Sequence, residues 1–188
     1  MAKEPKESRP AVRDRLLEAA DRLFYEQGVR AVGIDRILTE ADAAKASLYS
    51  HFGCKDQLVA AYVERRIEAA RASIDAYVHS FPREERAVRF FDFVVEWTTQ
   101  SGFRGCPVQH LVGEINDRHH PARQLAVAQR EWLIGRLTDW ARAAGAADPE
   151  RLGGALVALF DGAIAAAEQD GPQRARDARW AAQRLLAH

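Results

Sequence analysis

The segment from Gly28 to Leu58 constrains this chain most, because it sets two short amphipathic stretches on either side of a tight polar turn. Ile34, Ile37, Leu38 and Ala41 recur at i, i+3, i+4 and i+7, so one face of a short helix is apolar. Three residues on, a second short helix carries Leu48 and Phe52 inward and leaves Lys45, Ala46, Tyr49 and Ser50 on the outer arc. Two short helices joined in this way form a helix-turn-helix, whose second helix can enter the major groove of DNA. The same periodicity also suits a plain helical bundle with a polar face, and spacing alone leaves both readings open.

At 188 residues the chain suits one domain, or a small head fused to a larger core, and 47% hydrophobic residues suffice for a buried interior. Basic and acidic residues are equal at 27 each, so no global positive field announces nucleic acid. A DNA-binding surface needs only local charge. Lys3, Lys6, Arg9, Arg13 and Arg15 outnumber Glu4, Glu7 and Asp14 near the start, as they would in a DNA-binding arm or in an ordinary solvated tail. Cys54 and Cys106 form no C-x-x-C pair, so neither a zinc finger nor a disulfide framework is supported. The opening MAKEPKESRP has no apolar signal region, and no window approaches the roughly 18 apolar residues of a membrane span. The expectation is a soluble cytoplasmic chain with no membrane partner.

Nearly all of the chain reads as helix, punctuated by Gly and Pro, and no sustained period-2 run marks a strand. Residues 1–9 read as a disordered arm. A first helix from about Pro10 carries Leu16, Leu17, Ala20, Leu23 and Phe24 and stops at Gly28, a natural C′ residue. The two short helices follow to about Phe52, and Cys54 stands where an N-cap would fall before a helix reaching about Ser80. Further helices are expected over 82–100, 108–115, 121–144, 150–169 and 173–187. The fold class is therefore all-α with about nine helices. A head over residues 10–54 is followed by a body over 55–188, with the long linking helix starting at 54.

On the outer arc, Lys45 can reach a phosphate or a guanine edge, and the Ala46 methyl can lie beside a thymine methyl. Tyr49 and Ser50 offer hydroxyls, while His51 and Lys55 are placed for backbone phosphates. The residues themselves narrow the choice further. Gly28, Ile34-Asp35-Arg36-Ile37, Ala41, Lys45, Leu48-Tyr49, His51-Phe52, Lys55-Asp56 and Leu58, behind the stripe LLEAADRLFYEQG, resemble the N-terminal domain of the TetR family of bacterial regulators. The resemblance covers about the first 65 residues well and the remainder mainly in helical order.

It implies a homodimer binding a palindromic double-stranded operator, with Arg36, Lys45, Ala46, Ser47, Tyr49, Ser50, His51 and Lys55 at the DNA. It also implies a body that binds a small, apolar effector and releases the repressor. Three positions depart from the family pattern. Gly33 replaces the usual Thr or Ser cap of the second helix, Asp42 stands at the turn glycine, and Ala44 replaces a Ser before Lys45. A capping or phosphate contact at Gly33 and at Ala44 is thereby lost.

In the body, aromatics concentrate over 83–140 and serve either as core or as the lining of a ligand cavity. Arg66, Phe90, Trp97, Phe103, Cys106, His110, Glu114 and Trp132 are the pocket candidates, with His110 and Glu114 one turn apart. Cys106 is either a small buried hydrophobe or a thiol sensor of electrophiles or oxidants. Sensing requires a depressed pKa, which Arg104 or a helix N-terminus could supply. That leaves, as the rival to a DNA-binding regulator, a small-molecule or redox sensor whose head no longer binds DNA. His110, Glu114, His119 and His120 as metal ligands, and Cys106-His110-Glu114 as a hydrolase, are the weaker readings. No cofactor, metal or enzymatic activity is assigned. The last two helices are rich in Gly and Ala, and Leu152, Leu156, Leu159, Phe160, Ala163, Trp180 and Leu185 are the candidate dimer interface.

Overall fold

The computed structural model describes residues 10–187, and among these it contains nine α-helices, one 3-10 turn and no strand. The expected disordered arm, and the basic residues up to Arg9, lie outside the described residues. The chain divides into two compact units, Met1–Tyr62 and Val63–His188. The head thus extends eight residues beyond the expected boundary at 54, taking in the first two turns of the long helix.

The first unit holds α1 (Val12–Gln27), α2 (Ile34–Ala41), α3 (Lys45–Phe52) and the start of α4 (Lys55–His79). The α-helix begins at Val12, two residues past Pro10, with Ala11 as an N-cap that offers no side-chain bond. It ends at Gly28, whose φ of 84° no L-residue adopts easily and whose N–H donates to the Phe24 carbonyl at 2.9 Å. The apolar stripe does what its spacing requires. Leu16, Leu23, Val32, Ile37, Leu48 and Leu58 are at most 1% exposed, and Phe24 meets Tyr62 edge to face with ring centroids 5.5 Å apart. Each such aliphatic side chain contributes about 1.5–3 kcal/mol by leaving water.

The second unit comprises the rest of α4, α5 (Arg86–Thr98), α6 (Pro107–Glu114), α7 (Pro121–Ala143), α8 (Pro149–Asp170) and α9 (Gln173–Leu186). Pro82 does not open α5 directly. It precedes a 3-10 turn, Arg83–Glu85, and the α-helix starts at Arg86. Helix α8 packs against both α7 and α9, and α5 closes on α9. Their shared core includes Ile74, Val78, Phe90, Phe91, Val94, Leu137, Trp140, Leu156, Ile164 and Ala182. Gly153 sets the α7–α8 spacing. A Cβ there would collide with the Thr138 hydroxyl and lie 2.9 Å from its Cα and N.

One sequence expectation needs correcting. Helix α8 is long enough and apolar enough, with a mean hydropathy of 1.2, to meet the composition of a membrane span. Its apolarity has a local cause, since Leu156, Val157, Ala163 and Ile164 belong to the core of this unit.

Candidate nucleic-acid interface

Helix α2 has Gly33 as its N-cap, in extended backbone with no side-chain cap, and Asp42 as its C-cap, in the left-handed conformation with φ 45° and ψ 60°. Two backbone bonds close the turn, Asp42 N–H to Thr39 O at 3.3 Å and Ala43 N–H to Leu38 O at 3.1 Å. Ala44 is the N-cap of α3, again without a side-chain bond. Both capping losses read from the sequence are therefore present in the structure. Leu48 and Phe52 are buried and anchor α3 to the head, and the Arg13 guanidinium lies 5.4 Å from the Phe52 ring centre.

With those two side chains turned inward, α3 exposes Lys45, Ala46, Tyr49, Ser50 and His51 together. Arg36 on α2 is exposed as well, whereas Ser47 is half-buried and its carbonyl accepts from the Ser50 hydroxyl at 3.0 Å. Tyr49 is 46% exposed, too open for a tyrosine serving as core. The Lys45 ammonium stands 4.0 Å from the Asp35 carboxylate, and the exposure of both groups makes this a weak pair that a phosphate can displace. Lys55 differs from the rest of the set. It is half-buried and donates to the Val29 carbonyl at 2.7 Å, which fastens the start of α4 to the loop after α1.

Pattern reading missed Arg15, which it counted only as local charge. Its Nε donates to the Ala41 carbonyl at 3.0 Å, one Nη to Asp42 at 2.8 Å and the other to Pro10 at 3.1 Å. No periodic signal could have shown this, because two of the acceptors are backbone atoms 26 and 27 residues away.

In the second unit the eight pocket candidates divide among several packing contacts. Phe90 is fully buried and stacks within 5.4–6.3 Å of Phe91, Trp140 and Phe160, so it is core. The Arg71 and Arg136 guanidinium groups lie 5.0 and 5.4 Å from the Trp132 ring centre, and Arg136 is held by Asp75. Trp97 and Phe103 meet edge to face at 5.5 Å. Arg66 and Glu114 are half-buried. His110 pairs across to Glu168 on α8 at 3.0 Å. Two open hollows of about 440 and 280 Å³ are lined by none of these eight residues.

Cys106 is the N-cap of α6. Burial pushes its thiol above the ordinary value, outweighing the opposing pull of the Gln109 and Val108 backbone N–H groups. That direction runs against the depressed pKa that a sensing thiol needs. No group of three or more His, Cys, Asp and Glu side chains comes together as metal ligands among the described residues.

The dimer candidates also separate. Leu156 and Ala163 are buried within the unit, and Leu152, Leu159 and Phe160 are half-buried. Trp180 and Leu185, at 61% and 48% exposure, face outward. The small residues that the sequence concentrates on α8 divide in the same way, Gly153 and Ala163 being buried. Ala155, Ala158, Gly162 and Ala165 form an exposed stripe, and Gly162 has open space where a Cβ would stand.

Comparison with known proteins agrees with this geometry. The sequence pattern of a family described as bacterial regulatory proteins, tetR family, matches residues 16–62, the segment from α1 into α4. The chain is 31% identical to the HTH-type transcriptional regulator LmrA of Bacillus subtilis over 124 residues, covering 64% of this chain and 66% of that protein. It is 33% identical to the HTH-type transcriptional activator FasR of Mycolicibacterium smegmatis over 87 residues, covering 44% and 40%. Among solved structures it is similar to SCO4454, a TetR-family transcriptional regulator from Streptomyces coelicolor, at 34% identity and a TM-score of 0.89 over 94% of both chains.

Proposed function

The chain belongs to the TetR family of DNA-binding transcriptional regulators, and on that footing we propose that it is a homodimeric repressor released from a palindromic operator by a small molecule. The observation that carries the DNA-reading part is the outer arc of α3. Lys45, Ala46, Tyr49, Ser50 and His51 are exposed on an eight-residue helix whose other face is locked by Leu48 and Phe52. A helix so anchored can enter a major groove without losing its packing. Tyr49, Ser50 and Ala46 face base edges, and Lys45, His51 and Arg36 take phosphates.

Dimerisation places two copies of α3 in successive major grooves, about 34 Å apart. We assign the interface to the outer faces of α8 and α9, where Ala155, Ala158, Gly162 and Ala165 admit close helix approach and Trp180 and Leu185 supply apolar area. A two-fold contact of this kind is self-complementary, which the uncharged α8 stripe suits. Effector binding in the second unit then acts by favouring a separation of the two heads that no longer matches the operator. Helix α4 is the covalent link for that coupling, since its residues belong to both units. The repressor acts where the chromosome is, in the cytoplasm.

The test is a gel-retardation series with DNA from upstream of the chain's own gene and a scrambled duplex of equal composition. Retardation confined to the native sequence and released by some member of a small-molecule panel supports the reading. Equal binding to both duplexes contradicts it.

A further inference from the structure

We propose that Arg15 is the positioning residue for DNA reading: it fixes the helix-turn-helix turn by clamping the carbonyls of Ala41 and Asp42. The inference rests on the DNA-binding assignment and concerns what aims α3, not what α3 touches. Asp42 is the only non-glycine with positive φ among the described residues, in a conformation that Asp tolerates better than most L-residues but that only Gly adopts without cost. Neither of the two short helices has a side-chain cap at its start, at Gly33 before α2 and at Ala44 before α3. Within the turn, two backbone bonds hold the chain, Asp42 N–H to Thr39 O and Ala43 N–H to Leu38 O.

Arg15 adds a tie from α1. Its planar fork donates to Ala41, the last residue of α2, at 3.0 Å and to Asp42 at 2.8 Å. Those carbonyls belong to a helix C-terminus, where orphan acceptors and the negative end of the helix dipole favour a cation. A third donation to Pro10, at 3.1 Å, ties the residues before α1 to the same guanidinium. Three of the five guanidinium N–H groups are thus committed to backbone, and the residue is half-buried. The Asp42 carbonyl is thus clamped while its backbone is left-handed, and α3 starts three residues later.

The experiment uses the full chain, a short duplex selected by the wild-type protein from a random-sequence library, and a scrambled duplex. Affinity is read by fluorescence anisotropy across a salt series. Arg15→Ala is expected to weaken binding to the selected duplex about tenfold, the scale of one charge-assisted hydrogen bond, and to leave the scrambled duplex within about twofold. The slope of log affinity against log salt is expected to stay at the wild-type value. Arg15→Lys keeps the charge but loses the fork, so it should resemble Arg15→Ala, and it carries the comparison if the alanine variant does not fold. Asp42→Gly removes the strain, so it should restore most of the lost affinity in the Arg15 variants while changing the wild type little.

A phosphate-contacting Arg15 would instead weaken both duplexes alike and lower the salt slope by about one per contact, which overturns the proposal. An equal effect of Asp42→Gly in both backgrounds overturns it as well. A wild-type protein that selects no duplex at all refutes the DNA-reading assignment itself, and the proposal falls with it.

Discussion

Gly153 offers a sharp test of how the second unit is packed. Replacing it with alanine puts a Cβ against the Thr138 hydroxyl and 2.9 Å from the Thr138 Cα and N. The hydroxyl can rotate away, but the backbone atoms belong to α7 and cannot. Overpacking of this kind costs about 1–3 kcal/mol, and an immovable neighbour puts the cost in the upper half of that range. Against it stands a gain of about 1 kcal/mol from removing a glycine inside a helix. The net expectation is a loss of about 1–2 kcal/mol.

Gly135 on α7 is the matched control, since nothing lies within 4 Å of its added Cβ, and Gly135→Ala should gain about 0.5–1 kcal/mol. Urea unfolding of both variants at one protein concentration reads the two signs directly. Adding Thr138→Ala to Gly153→Ala should recover only part of the loss, because the hydroxyl goes while Cα and N remain. A Gly153→Ala protein as stable as wild type would show that α7 and α8 do not approach as described.

Further expectations concern the proposed interface and the thiols. Ala158→Arg, on the exposed α8 stripe, should convert a dimer to monomer in sedimentation velocity while changing the fold's own stability by no more than about 0.5 kcal/mol. A dimer that survives this change would place the interface elsewhere. Cys54 is exposed and Cys106 has its pKa raised by burial, so iodoacetamide at neutral pH should label Cys54 first; faster labelling of Cys106 would reverse that assignment. The same burial has a pH consequence. The folded state holds the Cys106 proton more tightly than the unfolded state, so the stabilisation is present below the ordinary value of 9.0 and falls as pH rises beyond it. Cys106→Ala should flatten that fall in urea titrations, and an unchanged pH dependence would refute the attribution.

The head was largely legible because its signals are local. The i, i+3, i+4, i+7 spacing gave α2, and Gly28 with φ 84° gave the end of α1. Asp42 adopts the left-handed turn where the family pattern has glycine. The body was legible as helices and much less so as a site. A helix apolar on several sides, such as α8, does not reveal which side meets its own chain, so Leu156 and Ala163 were assigned outward and lie in the core. Aromatic residues do not announce whether they line space or fill it, and Phe90 fills it. His110 with Glu168, Arg136 with Asp75 and Arg15 with two distant carbonyls are pairings across the fold, made by tertiary structure and invisible to spacing.

The most direct measurement is the affinity of wild type and of the Lys45→Ala, Tyr49→Ala double variant for a selected duplex and its scrambled counterpart at one physiological salt concentration. The expected result is a wild-type preference of about a thousandfold or more for the selected duplex, collapsing in the double variant to the level of the scrambled one. A double variant that keeps the wild-type preference would contradict the assignment of α3 as the helix that reads DNA.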